Sequence, residues 1–129
     1  MSKKLTVKEI LDSRGQKKLT EIYTHTELEA EACEKAGVDM IITSELNDYT
    51  RIRSAAPNTF FTVGLSYGAH LDEYSILKRC FYLMNKGADA IYCPQSSRFI
   101  KAIADEGIPV IGHSGFIPVS YTHLTLPTK

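Results

Sequence analysis

The chain has 129 residues, 43% of them hydrophobic and 23% charged, and its 15 Lys and Arg are matched by 15 Asp and Glu. That length makes one domain at most, the composition is that of an ordinary folded chain rather than a disordered one, and a formal net charge of zero excludes a polyanion binder held by bulk charge. No apolar run approaches the roughly 18–20 residues needed to cross a bilayer, and the start of the chain lacks the apolar stretch of a secretory signal.

Thr6 opens a short leading helix as its N-cap, running to Asp12. Residues 18–24 read as a first strand. Residues 27–35 read as a helix rich in Glu and Ala, with Leu28, Ala32 and Ala36 on one inward face and Gly37 as the stop. The nearly continuous apolar run 39–44 predicts a strand covered on both faces. Residues 47–56 form a weak helix closed by Pro57 and Asn58, and 59–64 a third strand rich in β-branched and aromatic residues. The strongest helical pattern is 71–86, where Leu71, Tyr74, Leu77, Phe81 and Met84 share a face and Gly87 ends the helix. Residues 88–93 are a fourth strand. Residues 97–106 are a helix with Ser97 as N-cap and Ile100, Ile103 and Ala104 inward, and 108–111 a fifth strand stopped by Gly112.

Three helix-to-strand joints are alike, each with a glycine just past the helix: Gly37, Gly87 and Gly107. A βα repeat of about 22 residues predicts parallel strands with right-handed crossovers. Two architectures fit: an open doubly wound sheet, and part of a (β/α)8 barrel. No GxGxxG follows the first strand, so the dinucleotide-binding form of the open sheet has no support. A complete barrel takes roughly 250 residues, so five strands with their intervening helices make a little over half of one. The expectation is a truncated (β/α)8 TIM barrel over residues 1–118. The segment 119–129 breaks the rhythm and resembles the translated read-through of a sequencing-library adapter. It is expected to lie apart from the barrel, and His123 within it is given no functional weight. A natural extended tail is the alternative.

In both architectures ligands bind beyond the carboxyl ends of the strands, which selects residues 24–26, 44–45, 64–68, 93–97 and 112–115. His113 leads, at a strand end between Gly112 and Gly115, where a neutral imidazole can donate to a substrate carbonyl or carboxylate. The plainer alternative is a histidine that fills the barrel mouth. Glu45 follows, as a carboxylate that can hold a divalent metal or accept a proton, or else as a solvated charge favoured by the start of a helix. His25 beside two threonines is as often structural as catalytic. Cys93 reads as a small apolar packing residue rather than a nucleophile. Ser96 and Ser97 suit a phosphate but also serve as helix caps. Cys33, Cys80 and Cys93 are an odd, scattered set, which argues against a disulfide framework and suits a reducing, cytoplasmic setting.

Three segments together carry a family resemblance. Residues 36–45 (Ala-Gly-Val-Asp-Met-Ile-Ile-Thr-Ser-Glu), residues 87–91 (Gly-Ala-Asp-Ala-Ile) and above all residues 107–118, with the pattern GIPV-x-GH-x-G-x-x-P, resemble ketopantoate hydroxymethyltransferases, which belong with the phosphoenolpyruvate mutase and isocitrate lyase type of barrel. The resemblance runs from about Thr6 to Pro118, and only the last motif is specific. It implies a cytoplasmic, magnesium-dependent homo-oligomer that uses neither nucleic acid nor membrane. Such an enzyme transfers a one-carbon unit from methylenetetrahydrofolate to a branched 2-oxo acid through an enolate, in pantothenate synthesis. On that basis His113 is catalytic, Ser44, Glu45 and His113 contact substrate, and Glu45 holds the metal. The pattern departs from the family where Leu46 replaces a serine, Gly64 a second metal-binding aspartate, Tyr92 a lysine and Pro94 a glutamate, and the family's general-base glutamate lies further along than this sequence reaches. Two other readings remain open: a lyase or mutase of the same superfamily acting on pyruvate-like acids, and a metal-free, non-enzymatic ligand-binding barrel. With two open strand edges and an uncovered interior, the chain alone is expected to be inactive and to self-associate.

Overall fold

Ten elements alternate along the chain in the computed structural model, which describes residues 3–114. The segment 119–129, and the last motif beyond Ser114, lie outside the described residues. The elements are α1 (Val7–Asp12), β1 (Glu21–Tyr23), α2 (Glu27–Ala36), β2 (Met40–Ser44), α3 (Tyr49–Ala55), β3 (Phe60–Gly64), α4 (Glu73–Asn85), β4 (Ala90–Cys93), α5 (Ser97–Asp105) and β5 (Val110–Gly112). Local chemistry sets most of their ends. Thr6 and Thr26 each accept from the backbone N–H three residues on, while Glu9 and Glu29 return the bond to the cap, so α1 and α2 both begin with a capping box. Asp48 and Asp72 cap α3 and α4 through their carboxylates. Gly37, Gly87 and Gly107 all take the positive φ that their positions after a helix require.

The five strands form one sheet in the order β1-β2-β3-β4-β5, every pair parallel. An open doubly wound sheet must reverse its strand order at a switch point. This sheet steps in one direction throughout, as a barrel wall does, so the fold is that of a truncated (β/α)8 barrel. The two faces of the sheet differ. Ile41, Phe61, Val63, Ile91 and Cys93 join Ala30, Cys33, Ile52, Ile76, Cys80, Leu83, Phe99 and Ile103 in one core cluster. All four helices α2–α5 therefore pack on that face. The residues that alternate with these strand positions line the inner face: Phe60, Thr62, Gly64 and Ala90 are buried there, Met40, Ile42, Ser44 and Tyr92 half-buried, and Tyr23 and Ile111 exposed.

Four expectations are corrected. Strand β2 is not covered on both faces: Ile41 and Thr43 are buried against helices, while Met40, Ile42 and Ser44 face the open interior. Helix α2 turns Ala30 and Cys33 inward, and Leu28, on the face expected to be buried, is 75% exposed, with Ala32 and Ala36 also outside. Helix α4 buries Ile76, Cys80 and Leu83 and leaves Tyr74 and Phe81 in solvent, and Leu71, also exposed, lies before the Asp72 cap and outside the helix. In α2 the small Ala30 and Cys33 make the contact, whereas α4 turns Ile76 and Leu83 in on either side of Cys80. Last, the N-cap of α5 is Ser96, because its backbone is still extended (φ −63°, ψ 163°) and the helix begins at Ser97. Phe99 and Ile103 are buried, Ile100 half-buried and Ala104 exposed.

The amino-terminal ends of the strands are tied by carboxylates placed just before them. Asp39 accepts from the backbone N–H of Thr20 at 2.9 Å, joining the starts of β1 and β2. Asp89 accepts from the N–H of Phe61 at 3.0 Å, from Arg53 Nη1 at 2.9 Å and from Lys4 Nζ at 2.7 Å. Arg53 spends its remaining donors on the carbonyls of Ala56, Thr59 and Gly87. Glu34 accepts from the backbone N–H of Asn58 and the hydroxyl of Thr59. In barrels this end carries stability rather than chemistry.

Candidate functional site

The opposite, carboxyl end gathers the residues singled out from the sequence, but in two separate groups on opposite faces. Strand alternation divides them. Ser44, Gly64, Tyr92 and Ile111 pair in one register row on the inner face. Glu45 follows Ser44, so it continues the helix-facing row of Ile41 and Thr43.

Glu45 is a buried carboxylate with its side chain 3% exposed. Its Oε2 accepts from the backbone N–H of Ser66 at 2.6 Å and from His70 Nε2 at 2.9 Å, and its Oε1 accepts from Arg79 Nε at 2.8 Å. Burial alone would push its pKa up, but the Ser66 N–H, His70 and Arg79 together hold it below the usual carboxylate value. Arg79 in turn lies against the rings of Tyr49 and Tyr82. Gln95 Nε2 donates to the His70 carbonyl at 3.0 Å, so the loop between β4 and α5 is tied into the same group. Beside it is a hollow of about 400 Å³ lined by His70, Tyr74, Ser75, Lys78, Arg79 and Tyr82. Ser66 falls in the selected segment 64–68, but neither it nor His70 and Arg79 was recognised in the sequence as a partner of Glu45. They lie 21–34 residues from Glu45, with no local spacing to reveal them.

That donor set does not suit magnesium. A hard dication asks for several oxygen ligands converging on one point. Here both oxygens of Glu45 already accept N–H bonds, one from a guanidinium. Among the described residues no group of three or more His, Cys, Asp or Glu gathers as a metal set.

The second group lies on the inner face. His113, half-buried one residue past β5, has its Nδ1 2.6 Å from the hydroxyl of Tyr92, and the two rings meet edge-on with centroids 6.2 Å apart. Gly64 lies opposite Tyr92 in the register, and a Cβ there would meet the Tyr92 ring at 3.4 Å. That is an ordinary contact distance, so Gly64 borders the Tyr92 ring on its β3 side while the phenol reaches His113 beyond β5. Burial, with a smaller push from Cys93, raises the pKa of the Tyr92 hydroxyl and keeps it protonated.

The remaining candidates take modest places. Ser44 is half-buried and its Oγ accepts from the N–H of Leu46 at 3.0 Å, in a local turn. His25 is largely exposed, rests against the ring of Tyr23 and gives its backbone N–H to Glu29. Cys93 is fully buried in the helix-side core, where burial raises its thiol pKa. The Ser96 hydroxyl makes no bond to the start of α5. Among the described residues, four buried side-chain atoms lack a partner: Thr24 Oγ1, Thr62 Oγ1, Ser66 Oγ and Gln95 Oε1. Three of these belong to the strand-end segments, and Thr62 stands on the inner face. A buried polar atom without a partner costs about 1–3 kcal/mol, and here the cost is concentrated where a barrel receives its ligand.

A one-way parallel sheet with helices on one face, and a histidine held at the carboxyl rim of its fifth strand, defines the chain as a piece of a (β/α)8-type barrel. Within that class its relatives are specific. The chain is 28% identical over 142 residues to the 3-methyl-2-oxobutanoate hydroxymethyltransferase of Thermosipho africanus, covering 90% of this chain and 53% of that protein. It is 24% identical over 138 residues to the protein of the same name from Kosmotoga olearia (88% and 52%), and 27% identical over 146 residues to that of Staphylothermus marinus (92% and 53%). No family model matches the chain. The resemblance read from residues 36–45, 87–91 and 107–118 is therefore borne out as a likeness: the chain is similar over about 90% of its length to proteins named 3-methyl-2-oxobutanoate hydroxymethyltransferase. It spans about half the length of the curated relatives it matches. No helix among the described residues is long and apolar enough to cross a membrane.

Proposed function

We propose that the chain is the strand-one to strand-five portion of a cytoplasmic, homo-oligomeric enzyme that transfers a one-carbon unit from methylenetetrahydrofolate to a small branched 2-oxo acid, with 3-methyl-2-oxobutanoate as the first substrate to try. The observation that carries this is His113, seated at the carboxyl end of β5 against Tyr92, in the segment that carries the specific motif. In that position an imidazole N–H polarises the 2-oxo group or holds the carboxylate, which favours negative charge on oxygen as an enolate forms. Ser44 lies on the same inner face and would contact the acid. Glu45 supports the rim instead of touching the ligand, since its oxygens are committed to Ser66, His70 and Arg79. No step is assigned to magnesium, because the residues present do not build its site.

The saturation of Glu45 also favours a second reading, a metal-free barrel that binds an oxo acid without turning it over. Calorimetric titration of the chain with 3-methyl-2-oxobutanoate, with and without magnesium, separates the two. Binding that His113→Ala weakens by about tenfold supports the site, as expected for loss of a hydrogen bond to a charged ligand. Unchanged affinity in that variant removes His113 from it. One-carbon transfer by the full-length protein on addition of methylenetetrahydrofolate would decide for the enzyme.

A further inference from the structure

We propose that the hollow on the exposed side of α4 is a binding site for a small aromatic monocarboxylate. The inference goes beyond the reading above and does not depend on it. The hollow measures about 400 Å³ and is lined by His70, Tyr74, Ser75, Lys78, Arg79 and Tyr82. That size lies near the lower end of the range of roughly 300–1,000 Å³ for small-molecule sites. No acid and no aliphatic residue is among these described lining residues, so the apolar walls are aromatic and the charged groups are basic. Tyr74, Lys78 and Tyr82 follow one another at four-residue steps, which places them on one stripe of α4, and Ser75 and Arg79 repeat the step beside them.

The charges are arranged for an anion. Buried Glu45 backs the hollow through its bonds to His70 Nε2 and Arg79 Nε. A guanidinium has five N–H donors, and Nε is only one of them, so the others remain for the Tyr49 hydroxyl and for the hollow. Glu45 offsets the charge of Arg79. Lys78 pairs with no acid among the described residues, and its Nζ lies 5.9 Å from the centre of the Tyr74 ring. Lys86, 5.4 Å from the centre of the Tyr82 ring, adds to the positive potential. The hollow therefore keeps an uncompensated positive charge held against aromatic rings. One carboxylate answers that charge. Asp72 and Glu73, at the start of the same helix, disfavour a second negative charge. The walls select the rest of the ligand: Tyr74 and Tyr82 are both exposed, and tyrosine rings pack on another ring offset or edge-on.

The test is titration of the nitrogen-15-labelled full chain with benzoate at constant ionic strength, followed by backbone amide shifts. The expected result is saturating shifts at Ser75, Lys78, Arg79 and Tyr82, with an affinity that falls about tenfold in Lys78→Gln, the size of one hydrogen bond to a charged group. Lys78 is exposed, so the variant should keep its fold, and an unchanged spectrum away from α4 checks that. Cyclohexanecarboxylate carries the same charge without an aromatic face and should bind the wild type about threefold more weakly, or less. Shifts that do not saturate, or that spread evenly over the surface, overturn the proposal, as does an affinity unmoved in Lys78→Gln. Equal binding of cyclohexanecarboxylate, or tighter binding of inorganic phosphate, overturns the aromatic monocarboxylate as the ligand class, and both comparisons need only the wild type. Titration of the same labelled chain with 3-methyl-2-oxobutanoate reads the inner rim separately. No shift at Ser44 or His113 with benzoate bound at α4 counts against the function and leaves this site. Rim shifts without benzoate binding overturn this site and leave the function.

Discussion

Strand β3 is held at both ends by a carboxylate, half-buried at one and buried at the other, and the two arrangements are nearly the same. At its amino end Asp89 accepts from the N–H of Phe61, from Arg53 and from Lys4. Just past its carboxyl end Glu45 accepts from the N–H of Ser66, from His70 and from Arg79. Each carboxylate belongs to a neighbouring strand and binds one backbone N–H, one guanidinium and one further basic side chain. The barrel rule assigns chemistry to one end and stability to the other. By construction, however, Glu45 resembles Asp89, and it differs from the Tyr92–His113 pair that shares its end of the sheet. Position at a strand end thus does not by itself distinguish the two carboxylates. The face each turns to, and whether its oxygens are already bound, decide the matter.

The largest expected effect comes from breaking the better buried clamp. Glu45→Ala leaves Arg79, His70 and the Ser66 N–H without their acceptor and should cost roughly 3–5 kcal/mol, the usual penalty for removing one partner of a buried ion pair. Urea unfolding measures it, and a loss under about 1 kcal/mol would mean the oxygens are held for something other than the fold. Asp89→Ala should cost about 2–3 kcal/mol by the same measurement, since Arg53, only 14% exposed, keeps three carbonyl partners. A penalty for Asp89 well above that for Glu45 would reverse the comparison.

Acid should weaken the Glu45 clamp. Its folded pKa lies below the ordinary 4.5, so on acidification the unfolded chain takes up the proton first. The contribution is complete above that ordinary value and is lost as pH falls through the lower, folded one. The urea midpoints of wild type and Glu45→Gln should therefore converge as the pH drops below about 4.5. Parallel curves across that range would show that the charge of Glu45 does not support the fold.

Gly87 couples the amino-end clamp to a repeat joint. Its φ is +111°, and a Cβ there would lie 2.9 Å from Arg53 Cγ, whereas Gly37, at φ +81°, has nothing within 4 Å. Gly37→Ala should cost about 1 kcal/mol from backbone strain alone. Gly87→Ala should cost more, about 2 kcal/mol, because the side chain of Arg53 must also shift. Equal losses would show that Arg53 gives way freely and that the Asp89 clamp is looser than its distances.

The order of elements was legible because each strand is a short apolar run and three joints carry a glycine at the turn. The barrel followed from the sum of those repeats, and the parallel, sequential sheet agrees with it. The facing of the helices was not legible. Along α4, Tyr74, Leu77, Phe81 and Met84 make one apolar stripe and Ile76, Cys80 and Leu83 another, so periodicity offers two solutions, and close packing of Cys80 beneath the sheet selects the second. At the candidate site, the strand-end rule selected His113 and Glu45 but said nothing about which face each takes. Alternation beyond the last paired residue settles that, since one step turns Ser44 inward and Glu45 outward. Partners such as Arg79 and Tyr92 are brought in by the fold from distant sequence, and their pairing has no local signal.

The smallest expected effect tests how far the likeness of the two clamps extends. Lys4 stands in the Asp89 group where His70 stands in the Glu45 group, but its side chain is 40% exposed and His70 is 14% exposed. Solvent screens an ion pair at that exposure, and ordering a lysine side chain offsets much of what remains. Lys4→Ala should therefore cost no more than about 0.5 kcal/mol, within reach of a careful urea comparison. His70→Ala, which removes a buried donor from a buried carboxylate, should cost several times as much. If the two substitutions proved equal, the third donor would be dispensable at both ends. The arginine and backbone N–H would then be the working core of each clamp, and His70 would be left for a role at the hollow it lines with Lys78 and Tyr82.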